Sequence, residues 1–274
     1  MGRLTGRVAF VTGAARGQGR AHCVRLAKEG ADIIAIDIAG PVAGSPVEPA
    51  TMEQLEETGG LVEKSGRRAL IARADVRDYD SMKNVVDEGV RSFGRLDVVV
   101  ANAGTMHGGH MWELTEEQWQ LVIDVNLTGV WKTIKASVPH MIAAGNGGSI
   151  IITSSAAGYR GYPMSGGYGA AKHGLVGLCQ TLAVEVARYN IRVNTIHPNG
   201  VNTAMTKPPD PSAGKGIGAD DHDKWLFRHV TATALPEGMQ EPADVAATVA
   251  FLASDESRFM TGTMLQIGAG NQLM

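Results

Sequence analysis

Two rhythms of apolar and polar residues alternate along this chain. Short, nearly continuous apolar runs rich in Val and Ile recur: VAFV at 8–11, IIAI at 33–36, VVV at 98–100 and III at 150–152. Between them lie longer segments in which apolar positions return every three or four residues, the period of a helix with one buried face. The first rhythm predicts strands over residues 7–13, 32–38, 68–76, 96–104, 148–155, 191–198 and 262–270. The second predicts helices over 19–31, 81–94, 115–145, 167–190 and 241–257, with Ser81, Thr115 and Pro242 as start signals and Gly94 as a stop. Apolar strands alternating with helices imply an α/β chain: one single-domain, doubly wound parallel sheet over residues 1–274, with helices on both faces. In such a sheet ligands bind beyond the carboxyl ends of the strands, where the strand order reverses. The residues leaving each strand are therefore the candidates for chemistry.

Two segments interrupt the rhythm. Residues 39–66 form a long connection between the second and third strands, Pro- and Gly-rich at first and helical over 51–66. Residues 202–241 follow the sixth strand at the ligand end and are polar, Gly- and Pro-rich. Long connections in a compact domain tend to carry function. The first is expected as an inserted loop near a cofactor and the second as a substrate lid.

Composition narrows the class. The 274 residues carry a net charge of −3, with 44% apolar and 19% charged residues. No basic patch suits nucleic acid, no apolar run approaches the roughly 18 residues of a membrane span, and no signal segment precedes the first strand. A cytoplasmic protein is expected, with neither nucleic acid nor membrane as partner. Cys23 and Cys179 fall in helical patterns among apolar neighbours and read as buried thiols.

The segment TGAARGQG, residues 12–19, follows the first strand. Gly13, Gly17 and Gly19 let the chain turn sharply and let a phosphate approach the backbone N–H groups that open the helix, with Arg16 and Gln18 between them. Asp37 and Ile38 end the second strand, where a carboxylate accepts from a ribose 2′-OH. A 2′-phosphate there would meet a repulsion of about 4 kcal/mol at about 4 Å and an effective dielectric near 20. NAD is therefore the expected cofactor. The alternative is NADP with Arg16 as the phosphate partner. Asp75 and Val76, after the third strand, would flank the adenine, although Asp75 also reads as a cap for the helix from Ser81.

Tyr168 and Lys172 lie four residues apart in a helical pattern, so both project from one face. An adjacent ammonium favours the phenolate, which makes the pair an acid/base candidate. Ser155 lies 13 residues upstream of Tyr168, at the end of the fifth strand, where its hydroxyl could bond a reacting oxygen. Asn126 sits inside the helix after the fourth strand, against its propensity; its amide could hold a water linked to Lys172, and the plainer reading is a solvent-facing residue or local kink.

The glycine loop, the NAG of Asn102, Ala103 and Gly104, then Asn126, Ser155, Tyr168 and Lys172 resemble, in order and spacing, the short-chain dehydrogenase/reductase family. The resemblance spans the chain and implies a Rossmann-type fold and hydride transfer between a secondary alcohol or ketone and nicotinamide. It implies that Tyr168 exchanges the substrate proton, that Lys172 lowers the tyrosine pKa and holds the nicotinamide ribose, and that Ser155 polarises the substrate oxygen. Asn126 would order a relay water, and Asn102, Ala103 and Gly104 would line the cofactor pocket. The 13-residue gap matches Ser155 rather than Ser154. The family's proline-glycine dipeptide is interrupted here by Asn199, in HPNGVNT; Thr203 and Val201 still match residues that contact the carboxamide. A homotetramer through the helices at 115–145 and 167–190 is implied by resemblance alone.

The inserted loop, with TGAARGQGRAH and HPNGVNTAM, is similar to the mycofactocin-associated, carveol-dehydrogenase-like branch known from mycobacteria and related actinobacteria. That likeness implies tightly held NAD, a cyclic or terpene alcohol such as carveol as substrate, and a mycofactocin-like external redox carrier. The rival from another class is a non-catalytic NAD-binding sensor. Other residues suggest less. His107 and His110 lack a third ligand for a metal, so no metal is expected. Trp112, Trp119 and Trp131 read as core or interface, while Trp225 and Phe227 could cover an apolar substrate or anchor the lid.

Overall fold

The computed structural model describes residues 2–206, 220–236 and 239–274. Seven parallel strands form one sheet in the order β3-β2-β1-β4-β5-β6-β7. The strands are β1 (Val8–Thr12), β2 (Asp32–Asp37), β3 (Ala69–Arg73), β4 (Val98–Ala101), β5 (Gly148–Thr153), β6 (Ile191–Pro198) and β7 (Met264–Ile267). The helices are α1 (Gly17–Lys28), α2 (Met52–Lys64), α3 (Tyr79–Phe93), α4 (Glu116–Ile123), α5 (Gly129–Ala144), α6 (Gly166–Val186), α7 (Asp221–Thr231) and α8 (Pro242–Ala253). The chain builds outward from β1 to β3, then crosses back to place β4 on the other side of β1. A cleft opens at that reversal, at the carboxyl ends of β1 and β4.

The side-chain period of two explains why the strands read as continuous apolar runs. Phe10, Ile34, Val99, Ile150 and Ile152 face one layer, with Val86 of α3, Ile134 of α5 and Leu175 of α6. Val11, Ile33, Val98, Val100 and Ile151 face the other, with Leu26 of α1, Leu55 of α2 and Val249 of α8. Register holds the layers together: Val11 is opposite Ala35 on one side and Val100 on the other.

Several boundaries differ from expectation for local reasons. The helix expected over 115–145 is continuous in direction but broken in pitch. Thr115 and Gln118 close a capping box ahead of α4, and the residues Asp124–Thr128 then form a π turn in which Gly129 N–H bonds the Asp124 carbonyl. Asp75 does not cap α3: that helix starts at Tyr79, and Asp78 accepts from the N–H groups of Asp80 and Ser81. The helical half of the inserted connection is α2, opened by a second capping box between Thr51 and Gln54. Within the expected lid, residues 207–219 and 237–238 lie outside the described residues. The described part holds α7, which polarity and glycine content concealed; Asp220 caps it by accepting from Asp223 N–H. Cys23 and Cys179 are buried free thiols. Trp112, Trp119 and Trp131 are not core: they are 81%, 37% and 47% exposed. Among the described residues no helix is long and apolar enough to cross a membrane.

Candidate active site at the carboxyl edge of the sheet

The cleft between β1 and β4 is shaped by backbone contact. Gly13 has φ +67°, and a Cβ there would sit 2.8 Å from Ala103 Cα. A Cβ at Gly19 would collide with the Gly13 carbonyl oxygen. Only glycine permits this closeness. Thr12 Oγ1 accepts the N–H groups of Asn102 and Ala103, each at 3.0 Å, and Asn102 Nδ2 donates back to the Thr12 carbonyl at 3.0 Å. Asn102 thus stitches the ends of β1 and β4 together. Arg16 occupies the N-cap of α1 without a side-chain cap, and no acidic residue lies in the first turn, so the helix opens with N–H groups available to an anion.

Asp37, 8% exposed, closes the adjacent wall. Its Oδ2 accepts from Ala15 N–H at 3.0 Å and its Oδ1 from Ala39 N–H at 2.9 Å, so the carboxylate is held at the strand end with lone pairs to spare. Arg16, in the same lining, has its partner in the inserted loop. Its guanidinium donates to the Glu48 backbone carbonyl and lies 3.4 Å from the Glu48 carboxylate. Asp75 is ion-paired with Arg77 at 2.6 Å.

Gly13, Arg16, Gly17, Gln18, Gly19, Asp37, Ile38, Asp75, Val76, Asn102, Ala103, Gly104 and Thr203 all line this one cavity. Val42, Ser45, Val47 and Pro49 of the inserted loop line it too. Sequence reasoning places the loop near a cofactor but singles out none of its residues, because its clasp on the body is non-local. Beyond Arg16, Ser45 Oγ lies 2.8 Å from Thr105 Oγ1 across 60 residues. Val201 is not part of the lining: it is buried, it bridges Gln240, and its carbonyl accepts from Thr206 Oγ1 at 2.6 Å.

Ser155, Tyr168 and Lys172 come together beside this cavity. Lys172 is 3% exposed; its Nζ donates to the Thr153 carbonyl at 2.7 Å and lies 5.4 Å from the Tyr168 ring centre. Ser154 Oγ donates to the Lys172 carbonyl at 3.0 Å, fixing α6 against the end of β5. Ser155 has the free role: its Oγ accepts from Ala157 N–H at 3.1 Å, leaving the hydroxyl hydrogen to donate. The two serines therefore differ in their partners: Ser154 Oγ is spent on α6, and Ser155 Oγ keeps its hydrogen.

Burial moves both titrating groups toward neutrality. It raises the Tyr168 phenol, opposed by a hydrogen bond to Ser155. It pushes Lys172 down to about 7. Desolvation is the largest cause of both shifts.

Asn126 is fully buried rather than solvent-facing. Its Nδ2 donates to the carbonyls of Thr105 and Val122, both at 2.8 Å, and its Oδ1 accepts from Thr105 N–H at 3.3 Å. Both amide hydrogens are spent on the backbone. The side chain locks the loop after β4 to the π turn. The inserted Asn199 is equally committed. Its Oδ1 accepts from Tyr162 OH at 2.7 Å, and its Nδ2 donates to the Thr231 carbonyl at 3.3 Å, tying β6 to the last residue of α7. Tyr162, Asn199 and Asn271, whose Nδ2 donates to the carbonyls of Val230 and Ala232, form an anchor that sequence reasoning misses; the Asn199 interruption is its only local trace. At the other end of α7, His110 Nε2 lies 3.5 Å from Asp223 and its ring stacks on Trp112 at 4.6 Å. Trp225 is 59% exposed and stacks on His229 at 5.5 Å. Among the described residues no group of three or more His, Cys, Asp or Glu is placed to hold a metal.

The cleft, the acid at the end of β2 and the Ser-Tyr-Lys group fit a dinucleotide-dependent oxidoreductase, and comparison with known proteins agrees. The family model for short chain dehydrogenase matches residues 7–213. A short-chain type dehydrogenase/reductase of Mycolicibacterium smegmatis is 50% identical over 281 residues, covering 99% of each chain. The (−)-trans-carveol dehydrogenase of Rhodococcus erythropolis is 42% identical over 276 residues, covering 100% of both. The crystal structure of carveol dehydrogenase from Mycobacterium avium in complex with NAD superposes with a TM-score of 0.92 at 45% identity, covering 100% of both chains. The chain belongs to the short-chain dehydrogenase/reductase family.

Proposed function

We propose that this protein is an NAD-dependent dehydrogenase of cyclic secondary alcohols, working reversibly as a ketone reductase, with a terpene alcohol such as carveol as the substrate type. The observation that carries the reading is the grouping of Ser155, Tyr168 and Lys172 beside a cavity whose wall is the Asp37 carboxylate. The cavity suits NAD. Gly13 and Gly19 leave no room for a side chain where the backbone turns, α1 opens toward the cleft without a cap, and Asp37 offers acceptors for an unphosphorylated ribose. Arg16, the residue that would favour NADP, is committed to Glu48.

When bound, the nicotinamide supplies the hydride acceptor. The chain's own residues handle the proton. Ser155, its Oγ already accepting from Ala157, donates its hydroxyl hydrogen toward the substrate oxygen. Tyr168 takes the alcohol proton, and its phenolate form is favoured by any positive charge on Lys172. Lys172, with a pKa near 7, spends one N–H on Thr153 and keeps the others for a ribose hydroxyl. Asn126 keeps the loop after β4 in register with these groups.

The inserted loop supports a tightly held nucleotide. It is fastened at two points, Arg16 to Glu48 and Ser45 to Thr105, across the cavity mouth. A nucleotide that stays bound must be reoxidised in place, which is the reason to propose an external carrier of the mycofactocin type. The exposed Trp131 of α5 and Val184 of α6 support a homotetramer through those helices. To test the reading, purified protein is denatured and its supernatant assayed for NAD. Native protein is then mixed with trans-carveol or cyclohexanol while NADH fluorescence is followed. Bound NAD and a stoichiometric NADH signal are expected. Protein that carries NAD but yields no NADH with any cyclic secondary alcohol would leave only the sensor reading.

A further inference from the structure

His197 belongs to none of the roles above, yet it is fully buried directly behind Ser155. It is the penultimate residue of β6, and its ring points to the opposite side of the sheet from Ile196, into the layer that holds α6. Its Nδ1 lies 2.8 Å from the Ser155 carbonyl oxygen, and its Nε2 lies 2.8 Å from Thr195 Oγ1. The ring of Tyr159 tilts against it at 5.6 Å.

These contacts fix its state. A carbonyl only accepts, so the hydrogen must sit on Nδ1. Burial lowers the imidazole pKa and the nearby Lys172 charge adds to that; the Ser155 bond opposes them. The ring is therefore neutral, Nε2 is an acceptor, and the Thr195 hydroxyl donates to it at 2.8 Å in preference to the Thr263 carbonyl at 3.4 Å.

The backbone shows why an imidazole is needed there. β5 and β6 pair as far as Thr153 opposite Ile196, and Ser154 N–H still donates to the Ile196 carbonyl at 2.9 Å. Pro198 then has no N–H to return to β5. The ladder stops just as the chain reaches Ser155, which has extended backbone (φ −167°, ψ 166°) and no strand partner. Two donors from outside the ladder hold its carbonyl: Gly158 N–H at 2.8 Å and His197 Nδ1–H. With Ala157 N–H on Oγ, Ser155 is gripped at both its carbonyl and its side chain.

We propose that His197 is a positioning residue for the reaction. As the neutral Nδ1–H tautomer it anchors the Ser155 peptide and so keeps the Ser155 hydroxyl aimed at Tyr168 and the substrate oxygen. The inference rests on the proposed role of Ser155 and adds the residue that aims it.

The test compares His197→Asn with His197→Leu. An Asn amide nitrogen falls near the position of Nδ1 and can still donate to the Ser155 carbonyl; Leu fills the space and cannot. With trans-carveol, His197→Leu should lower kcat by about 10- to 100-fold, the scale of a misplaced reacting group. Its NAD affinity should stay within about twofold, and His197→Asn should recover kcat to within about threefold of wild type. A purely structural role would damage both variants alike, so equal losses overturn the proposal, as does a His197→Leu enzyme with near-normal kcat. Nitrogen NMR of the imidazole in the wild-type protein gives a readout that needs no substrate. The neutral Nδ1–H form is expected, and an Nε2–H form or an imidazolium overturns the proposal even if the alcohol reading fails. Crystal structures of the two variants complete the separation: the Ser155 carbonyl should stay in place in His197→Asn and shift in His197→Leu, and an unmoved carbonyl in His197→Leu overturns it.

Discussion

Arg16 reaches across the mouth of the nucleotide cleft and donates to the backbone carbonyl of Glu48, 32 residues away. A residue of the phosphate turn thereby fastens the inserted loop. Arg16 is partly buried but Glu48 is 70% exposed, so the contact contributes about 1 kcal/mol after screening. Arg16→Ala should speed NADH release roughly fivefold. Stopped-flow fluorescence measures this directly; an unchanged release rate would show that the loop does not restrain the nucleotide.

Asp37 should decide between the two dinucleotides. Asp37→Asn removes the charge and keeps the shape, with one oxygen left to accept from either Ala15 or Ala39 N–H. The ratio of NAD to NADP affinity should fall by about 100-fold, somewhat less than the full repulsion between a carboxylate and a 2′-phosphate allows. Titrating both reduced cofactors by fluorescence checks it, and an unaltered ratio would point to another determinant.

Tyr168→Phe removes the proton acceptor and little else. Turnover should drop by about a thousandfold with nucleotide binding intact. Residual activity within tenfold of wild type would take the proton-transfer role away from Tyr168.

Lys172 gives a signature in stability as well as in rate. Its pKa is about 7 in the folded protein, whereas an unfolded lysine titrates near 10.4. Between those values the unfolded chain binds a proton that the folded one does not, so stability rises with pH across that window, by up to about 1.4 kcal/mol per pH unit. Urea midpoints of the nucleotide-free protein should climb from pH 7 to pH 9 in wild type and climb less in Lys172→Met. Parallel profiles would mean that Lys172 stays charged in its buried site.

What can be read from sequence is what is local in sequence. The glycine turn, Asp37 at a strand end and the four-residue step from Tyr168 to Lys172 each lie within a single turn or element, and all three line or border one cleft. The alternation of strands and helices likewise specifies the sheet. The failures are mostly contacts made across the chain. Asn126 reads plainly as solvent-facing, but it is buried against Thr105, which lies in another segment of the chain. Asp75 reads as a cap, but Asp78, three residues on, stands next to the first turn and takes that place. The role of Asn199 depends on Tyr162 and Thr231, brought near only by the fold. Residue type alone suggests core or interface for Trp112, Trp119 and Trp131, and their exposure removes only the core reading.

Thr105 is held twice: Asn126 grips its backbone from the π turn, and Ser45 meets its hydroxyl from the inserted loop. One residue therefore joins the cover of the nucleotide to the framework of the reacting edge. Loosening the loop and loosening the segment after β4 are therefore not independent. An engineer who trims the loop to make the cofactor diffusible would also remove one of the two holds on Thr105, and would have to restore it from another side.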